Sequence, residues 1–450
     1  MSRMFGTDGV RGIANSELTA ELAMDLGKAG ALVLARDSER PLFVIGRDTR
    51  VSGEMLENAL TAGILSTGGD VIRVGVMPTP GIACLTQQYV ADAGVVISAS
   101  HNPFEFNGIK FFNSKGFKLD DALEDEIEAM IKEGIHQIPE GESIGRIIEP
   151  EEDPLKKYSE HLQKVMDEDL TGMKVVLDCA NGASCVLAKD LFTALGAEVT
   201  AIGCEPDGTN INDGVGSTHP ELLARTVVRE GADAGLAFDG DADRLIAVDE
   251  KGSLIDGDRL ISIFERFMKE TGTLAGNRVT VTVMSNIGFH RRARELEVEV
   301  DVTDVGDRYV LESMLETGSV LGGEQSGHII LLDYSTTGDG MLAGLQLLKA
   351  LRHFGIPLSE LAGEMKVYPQ VLINAKVKNE NKDKWKDDQE ILAAIAEVEE
   401  TVTSNGRGGR VLIRKSGTEP VVRVMIEGED EEEIRPLAGN LAELIQDWLA

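Results

Sequence analysis

The chain has 450 residues, too many for one ordinary hydrophobic core, so several domains are expected. Hydrophobic residues at 42% and charged residues at 27% describe a soluble globular protein, and no run approaches the roughly 18 apolar residues of a membrane span. A net charge of −33 disfavours nucleic acid and anionic membrane as partners, and any phosphate site must be built locally from arginines, backbone amides and a metal.

The elements read in order as a repeated βα rhythm. Residues 17–35 put Leu18, Leu22, Leu26 and Leu32 on one helical face. Strand-like Leu42–Gly46, a helix carrying Leu56, Leu60 and Ile64, strand-like Val71–Val76, a Pro-bounded helix and strand-like Val95–Ser98 follow. A second pass runs through Lys174–Asp178, Glu198–Ile202, a helix near Pro220–Glu230 and Ala234–Asp239. A third begins near Asp256, with Arg278–Met284, Val298–Val302, His328–Asp333 and a helix at Gly340–His353. Each pass sets an apolar strand before a short polar loop, which predicts doubly wound α/β units. The tail differs: strands at Gln370–Val377, Arg410–Arg414 and Val421–Glu427, with helices near Asp388–Glu399 and Glu431–Trp448, predict an α+β domain. Boundaries are expected at Ile148–Pro154, Asp249–Ser253 and Glu364–Tyr368. The start Met1–Gly12 lacks the apolar region of a signal peptide, and Cys84, Cys179, Cys185 and Cys204 show no CxxC spacing. Reduced thiols in the cytoplasm are expected.

The loops carry the chemistry. Phe238–Arg244 reads FDGDADR, whose Asp239, Asp241 and Asp243 alternate after a strand and can converge oxygens on one hard divalent cation. An EF-hand also begins D-x-D-x-D, and Glu250 falls at its twelfth position, but Arg244 occupies the sixth, where glycine is required. Gly94–Lys110 reads GVVISASHNPFEFNGIK, a strand ending at Ser98, Ser100 and His101. Adjacency in sequence does not place His101 as a base for Ser100, and GxSxG is absent, so a hydrolase triad is disfavoured. A phosphorylated Ser100 needs a metal and donors, not a base. Arg11 stands among small residues in FGTDGVRG, and Arg47 and Arg50 stand in GRDTRVSG. These arginines suit forked bonds to phosphate, although Arg47 or Arg50 equally suits Asp48 or a domain interface. In GGEQSGH, Glu324 and Ser326 suit sugar hydroxyls and His328 suits proton transfer. In RKSGTEP, Arg414, Ser416, Gly417 and Thr418, with Arg423 beyond, form an expected anion nest.

Taken together and in this order, SASHNP, DGDADR, GGEQSGH and RKSGTEP resemble the phosphoserine, metal, sugar and phosphate loops of the α-D-phosphohexomutase superfamily, along nearly the whole chain. The resemblance implies three similar α/β domains with mixed, mainly parallel sheets plus a C-terminal α+β domain around a central cleft. The expected domains are 1–152, 153–251, 252–366 and 367–450. It also implies a phosphorylated Ser100 and one Mg²⁺ per subunit, held by Asp239, Asp241, Asp243 and the phosphate oxygen on Ser100. The implied activity interconverts glucosamine 6-phosphate and glucosamine 1-phosphate through a 1,6-bisphosphate, with glucosamine or glucose 1,6-bisphosphate as activator, for amino-sugar nucleotide and cell-wall precursor synthesis. Lys110, His328, Arg11 and Arg244 are then the expected catalytic partners of Ser100. His101, Gly306, Asp307, Glu324, Ser326, Arg414, Ser416, Gly417, Thr418 and Arg423 are the expected substrate contacts, and a homodimer through the first domain is expected. Phe106 stands where one branch usually has an acidic residue, and neutral hexose phosphates remain the alternative substrates. A metal-dependent sugar phosphatase, which would release phosphate, and a non-catalytic sugar-phosphate sensor, which would bind without turnover, are the alternatives of other classes.

Overall fold

A computed structural model describes residues 3–6, 8–135, 139–166, 168–404, 408–416 and 419–450. The chain divides into two compact units, Met1–Met284 with Val298–Gly363, and Ser285–Glu297 with Glu364–Ala450.

The larger unit holds three sheets built on one plan. The first contains β1 (Val10–Ile13), β2 (Leu42–Arg47), β3 (Asp70–Val76), β4 (Ala93–Ile97) and β5 (Phe106–Asn113), in the order β1-β5-β4-β2-β3. β2 runs parallel to β3 and β4, and β5 returns antiparallel to β4. All five residues of β4 are buried, as a covered central strand requires. The second sheet contains β6 (Lys174–Asp178), β7 (Glu198–Ile202), β8 (Ala234–Phe238), β9 (Leu245–Asp249) and β10 (Leu254–Ile255), in the order β10-β9-β8-β6-β7. Here β6 is the parallel centre and β9 the antiparallel return. The third contains β11 (Arg278–Thr282), β12 (Glu299–Thr303), β13 (Leu321–Gly323) and β14 (Ile329–Leu331), in the order β12-β11-β13-β14, with β14 again antiparallel to β13. The mixed, mainly parallel sheets expected from the sequence are present.

Helices cover these sheets. Thr19 caps the helix Ala20–Leu34 by accepting a hydrogen bond from the Leu22 amide at 3.2 Å. That helix lies against Gly53–Ser66, and a Cβ on Gly27 would stand 2.4 Å from the Leu60 carbonyl oxygen, so the crossing needs glycine. As the position of Arg244 implied, the aspartate loop is not an EF-hand: residues after Arg244 form β9, and Glu250 accepts hydrogen bonds from Ser359. Asp249–Ser253 is the turn of the β9–β10 hairpin. No helix among the described residues is long and apolar enough to cross a membrane.

The smaller unit contains β15 (Gln370–Lys376), β16 (Arg410–Lys415) and β17 (Val421–Glu427), antiparallel in the order β15-β17-β16, under the helices Gln389–Thr403 and Glu431–Leu449. Its core gathers Val422, Val424 and Ile426 with Ile434, Leu441 and Ile445. This is the α+β domain expected from the tail.

Candidate active site

The shared plan explains why the site lies where it does. In each sheet of the larger unit, a parallel strand turns back into an antiparallel neighbour, and the turn carries the polar motif. The Ser100 loop joins β4 to β5, the Asp239–Asp243 loop joins β8 to β9, and the Glu324–His328 loop joins β13 to β14. Carboxyl ends of parallel strands are where open α/β sheets place ligands. The three loops touch in series. Ser100 Oγ donates to Asp239 Oδ2 at 2.5 Å, and the Leu245 amide donates to the Gly327 carbonyl at 2.9 Å beside a backbone bridge between Arg244 and His328.

Ser100 is buried and has φ of +52°, a left-handed backbone that costs a non-glycine residue roughly 1–2 kcal/mol. Local bonds hold it there. Its amide donates to Ser98 Oγ at 2.9 Å, and its carbonyl accepts from Arg50 Nη2 at 3.0 Å and Asn212 Nδ2 at 2.9 Å. Arg50 is fully enclosed. It pairs with Asp48 at 2.8 Å and donates to the carbonyls of Asn102 at 2.8 Å and Phe106 at 3.1 Å, and also to that of Pro103. Of the three roles that the sequence leaves open for Arg50, the Asp48 pair is the one observed. Arg47 pairs with Glu54 and Glu57.

The three aspartates are buried, with ligand oxygens all within 4.8 Å of one another. Burial and the neighbouring Asp243 and Asp241 push the Asp239 carboxyl well up, and burial with Asp241 raises Asp243. Burial works against Asp241 ionisation too, but Lys110 and the Thr79 hydroxyl outweigh it and hold that carboxyl low. Asp241 Oδ1 and Asp243 Oδ1 are buried without a hydrogen-bond partner among the described residues. Orphaned, mutually repelling carboxylate oxygens on a rigid turn fit a hard divalent cation such as Mg²⁺.

A second layer of charge surrounds them. Lys110 Nζ lies 2.8 Å from Asp241, 3.0 Å from Asp8 and 3.9 Å from Asp243. Burial opposes its charge, yet these carboxylates keep its pKa raised, so Lys110 is a fixed cation. Asp8 also pairs with Arg11 and with Lys118, which reaches on to Asp307. Asp307 begins the helix Asp307–Thr317 directly after Gly306, whose amide donates to Glu324 Oε1 at 3.1 Å. His328 Nε2 lies 3.4 Å from Asp307, 3.9 Å from Asp243 and accepts from the Gly338 amide at 3.2 Å. Arg244 Nε is 3.8 Å from Asp243. His101 Nδ1 is 3.4 Å from Ser100 Oγ, but burial, Arg244 and Arg11 depress its pKa to about 4, so it is a neutral ring and a poor base. That removes the remaining support for a serine-hydrolase triad. Ser326 lies exposed at the tip of its turn.

Ser100, His101, Lys110, Arg11, Arg244, the three aspartates, Gly306, Asp307, Glu324 and His328 therefore belong to one connected network. Asp8, Thr79, Lys118 and Asn212 belong to it as well, and the sequence reading missed them. Asp8 and Asn212 stand in FGTDGVRG and PDGTNINDGVG, glycine-punctuated stretches whose polar residues were available signals, whereas Lys118 follows no motif.

In the smaller unit, Arg414 and Arg423 face each other across β16 and β17. Like charges directly opposite in a sheet are unfavourable, and Arg423 pairs with Glu419 at 3.1 Å. Ser416 follows, buried, its hydroxyl accepting from the Glu419 amide at 3.1 Å and its carbonyl from Lys382 Nζ at 2.9 Å. Lys382 is a further cation that the sequence reading missed. Gly417 and Thr418 lie outside the described residues.

Repeated α/β units, a buried serine against an aspartate triad that could hold a metal, and cations beside them are the features that set the chain's class. The chain belongs to the phosphoglucomutase/phosphomannomutase family: residues 2–137, 156–252 and 256–368 match its alpha/beta/alpha domains I, II and III, and residues 372–444 match its C-terminal domain. It is 55% identical over 449 residues to phosphoglucosamine mutase of Clostridium botulinum, covering 99% of both chains. Among solved structures, a phosphoglucomutase/phosphomannomutase family protein from Burkholderia thailandensis superposes with a TM-score of 0.84 at 26% identity, covering 100% of this chain and 99% of that one. N-acetylphosphoglucosamine mutase of Aspergillus fumigatus, solved in complex with GlcNAc-6P and magnesium, shares the fold with a TM-score of 0.64 at 16% identity, covering 99% of this chain and 96% of that one.

Proposed function

We propose that this chain is a phosphoglucosamine mutase that interconverts glucosamine 6-phosphate and glucosamine 1-phosphate, with Ser100 as the phosphoryl carrier. The observation that carries the reading is Ser100 Oγ set 2.5 Å from Asp239 Oδ2, in a cluster of buried carboxylates and cations. A serine so placed is suited to hold a phosphoryl group, which carries about −1.5 to −2 charge. The C1 oxygen attacks the phosphorus on Ser100, the bond to Ser100 Oγ breaks, and a 1,6-bisphosphate forms. After reorientation the C6 phosphoryl returns to Ser100 Oγ, leaving the 1-phosphate.

Asp239, Asp241 and Asp243 would hold one Mg²⁺ per subunit, which when bound supplies Lewis-acid stabilisation of phosphoryl charge. Lys110, Arg11 and Arg244 offset negative charge on the transferring group, and His328 moves the proton of the sugar hydroxyl. Glu324 and Ser326 orient sugar hydroxyls with His101, Gly306 and Asp307. Arg414, Ser416, Gly417, Thr418 and Arg423 receive the phosphate that is not reacting. Glucosamine or glucose 1,6-bisphosphate acts as activator, and the protein works in the cytoplasm as a homodimer.

Intact mass of active protein should show one phosphoryl at Ser100, and Ser100→Ala should abolish turnover. Side-by-side kcat/KM on glucosamine, glucose and mannose phosphates, with bisphosphate present, should favour glucosamine. Full activity of Ser100→Ala would sink the carrier role, and net phosphate release would replace a mutase with a phosphatase.

A further inference from the structure

The Pro-bounded turn that leads out of β3, Met77–Pro80, meets the aspartate loop of the second sheet. The Met77 amide donates to the Arg47 carbonyl at 3.0 Å, which ties the turn to the end of β2. Pro78 precedes the helix Thr79–Gln88, and Pro80 stands in its first turn. The first amides of a helix have no partner within it, and proline there removes one of them. The Thr79 amide finds its partner outside, donating to the Asp241 carbonyl at 2.9 Å. The Thr79 hydroxyl donates to Asp241 Oδ2 at 2.6 Å, so one residue holds both the backbone and the side chain of Asp241. Thr79 and Asp241 are both fully buried, where such bonds are strong and water does not compete for them.

The two oxygens of Asp241 are left unequal. Oδ2 accepts from Thr79 Oγ1 and, at 2.8 Å, from Lys110 Nζ. A carboxylate oxygen has about two lone-pair sites, so two donors engage it fully. Oδ1 has no hydrogen-bond partner among the described residues. Given the proposed reading of Asp239, Asp241 and Asp243 as the metal set, on which this rests, we propose that Thr79 is a positioning residue that makes the site selective for Mg²⁺ over Ca²⁺. By holding Oδ2, it restricts Asp241 to one ligand oxygen, Oδ1.

The two cations ask different things of a carboxylate. Ca²⁺ takes about six to eight oxygens in a flexible arrangement and accepts both oxygens of one carboxylate, whereas Mg²⁺ is smaller and demands near-octahedral geometry. A carboxylate with one oxygen already engaged suits the second cation and penalises the first. Asp239 is restrained in the same way, with Oδ1 accepting from the Arg244 amide at 3.2 Å and Oδ2 from the Ser100 hydroxyl. Without the Thr79 hydroxyl, the Asp241 carboxylate loses one of the bonds that fix its plane and can turn to offer Oδ2 as well. Lys110 remains on Oδ2, so the site persists and its preference shifts. Thr79 is uncharged and comes from neither the aspartate loop nor the Ser100 loop, so it can be altered without changing a ligand, a charge or the reacting group.

The test measures cation binding to the full chain by titration calorimetry, with Mg²⁺ and Ca²⁺ in separate titrations and the phosphoryl content of every sample matched by intact mass. Thr79→Val keeps the shape of the side chain and removes the hydroxyl. It should lower the ratio of Mg²⁺ to Ca²⁺ affinity by about tenfold, the scale on which losing an outer partner costs a metal site. Thr79→Ala should lower the ratio as well, and it decides the matter if the valine variant does not fold. Thr79→Ser keeps the hydroxyl and should hold the wild-type ratio. Equal weakening of both cations in the valine and alanine variants would assign Thr79 to packing alone and overturn the selectivity role. So would an unchanged ratio in those variants, or a ratio in Thr79→Ser that falls as far as theirs. A wild-type chain that binds neither cation overturns the metal set itself, so the two readings fail by different results.

Discussion

Arg50→Ala is the sharpest probe of how the reactive loop is held. The side chain is enclosed, pairs with Asp48 and spans the carbonyls of Ser100, Asn102, Pro103 and Phe106. Removing one member of a buried ion pair costs about 3–5 kcal/mol. The lower end applies, because burial already raises the Asp48 carboxyl, and without Arg50 that group can take a proton while keeping its bond to Ser98. The lost carbonyl donors push the other way, so about 4 kcal/mol is the working figure. In a chain of several domains a global melting point blurs this, so the readout is local. Amide exchange over residues 98–108 should accelerate by roughly a thousandfold, since each 1.4 kcal/mol is tenfold. Arg50→Lys keeps the charge without the planar fork and should fall between. kcat should drop more than KM changes, because Arg50 shapes the loop without facing solvent. Exchange within about threefold of wild type in Arg50→Ala would show that the pair does not hold the loop, whatever the loss of activity.

Three further outcomes follow from the same geometry. In Gly240→Ala the new methyl would meet the Ser100 carbonyl oxygen at 2.5 Å, so the two loops must part. The cost should be about 1–3 kcal/mol with reduced kcat, and an unchanged kcat would show that the contact is dispensable. Asp241→Asn should stay folded by circular dichroism but need more than about tenfold higher Mg²⁺ for half-maximal turnover, and an unaltered Mg²⁺ titration would remove Asp241 from the metal set. In the smaller unit, burial with Arg410 and Arg294 lowers His290 to about 4. Its folded pKa lies below the ordinary value of about 6.5, so between those limits the unfolded state binds the extra proton, and stability is lost as pH falls from 6.5 towards 4. His290→Gln should flatten that decline in urea midpoints between pH 7 and pH 5, whereas a parallel decline would assign it elsewhere.

Much of this site was legible because motifs and strand ends coincide. A run such as Val95–Ile97 or Leu236–Phe238 announces a buried strand, and the polar residues after it must then be at its carboxyl end. The return strands β5 and β9 were harder. β5 carries Asn107 and Lys110 among apolar residues, and both are buried for contacts that no periodicity encodes. Long-range pairing explains the other omissions. Lys118 matters because Asp8 and Asp307, 110 and 189 residues away, converge on it. Asn212 matters because its amide reaches a carbonyl 112 residues earlier. Arg50 shows the limit most clearly. An arginine in a glycine-flanked loop after a strand is as suitable for a phosphate as for a loop clamp, and only the position of Asp48 and four converging carbonyls separates the two.

The same convergence resolves the apparent conflict between a strongly acidic chain and a phosphorylated substrate. Asp8, Asp239, Asp241, Asp243 and Asp307 meet Lys110, Lys118, Arg11 and Arg244 in one network, so the region is nearly balanced despite a net charge of −33 overall. The cations are not evenly shared: Lys110 serves Asp241 and Asp8, while Asp239, against Ser100, is left to Arg244 and the serine hydroxyl. Carboxylate repulsion is therefore least relieved at the atom nearest the reacting oxygen. A divalent cation placed there relieves it, and the positive surplus that results is what a phosphoryl group on Ser100 requires. On the proposed reading metal and phosphoryl group would thus each favour the other, and the acidic triad would be the reason that Ser100 can carry phosphate.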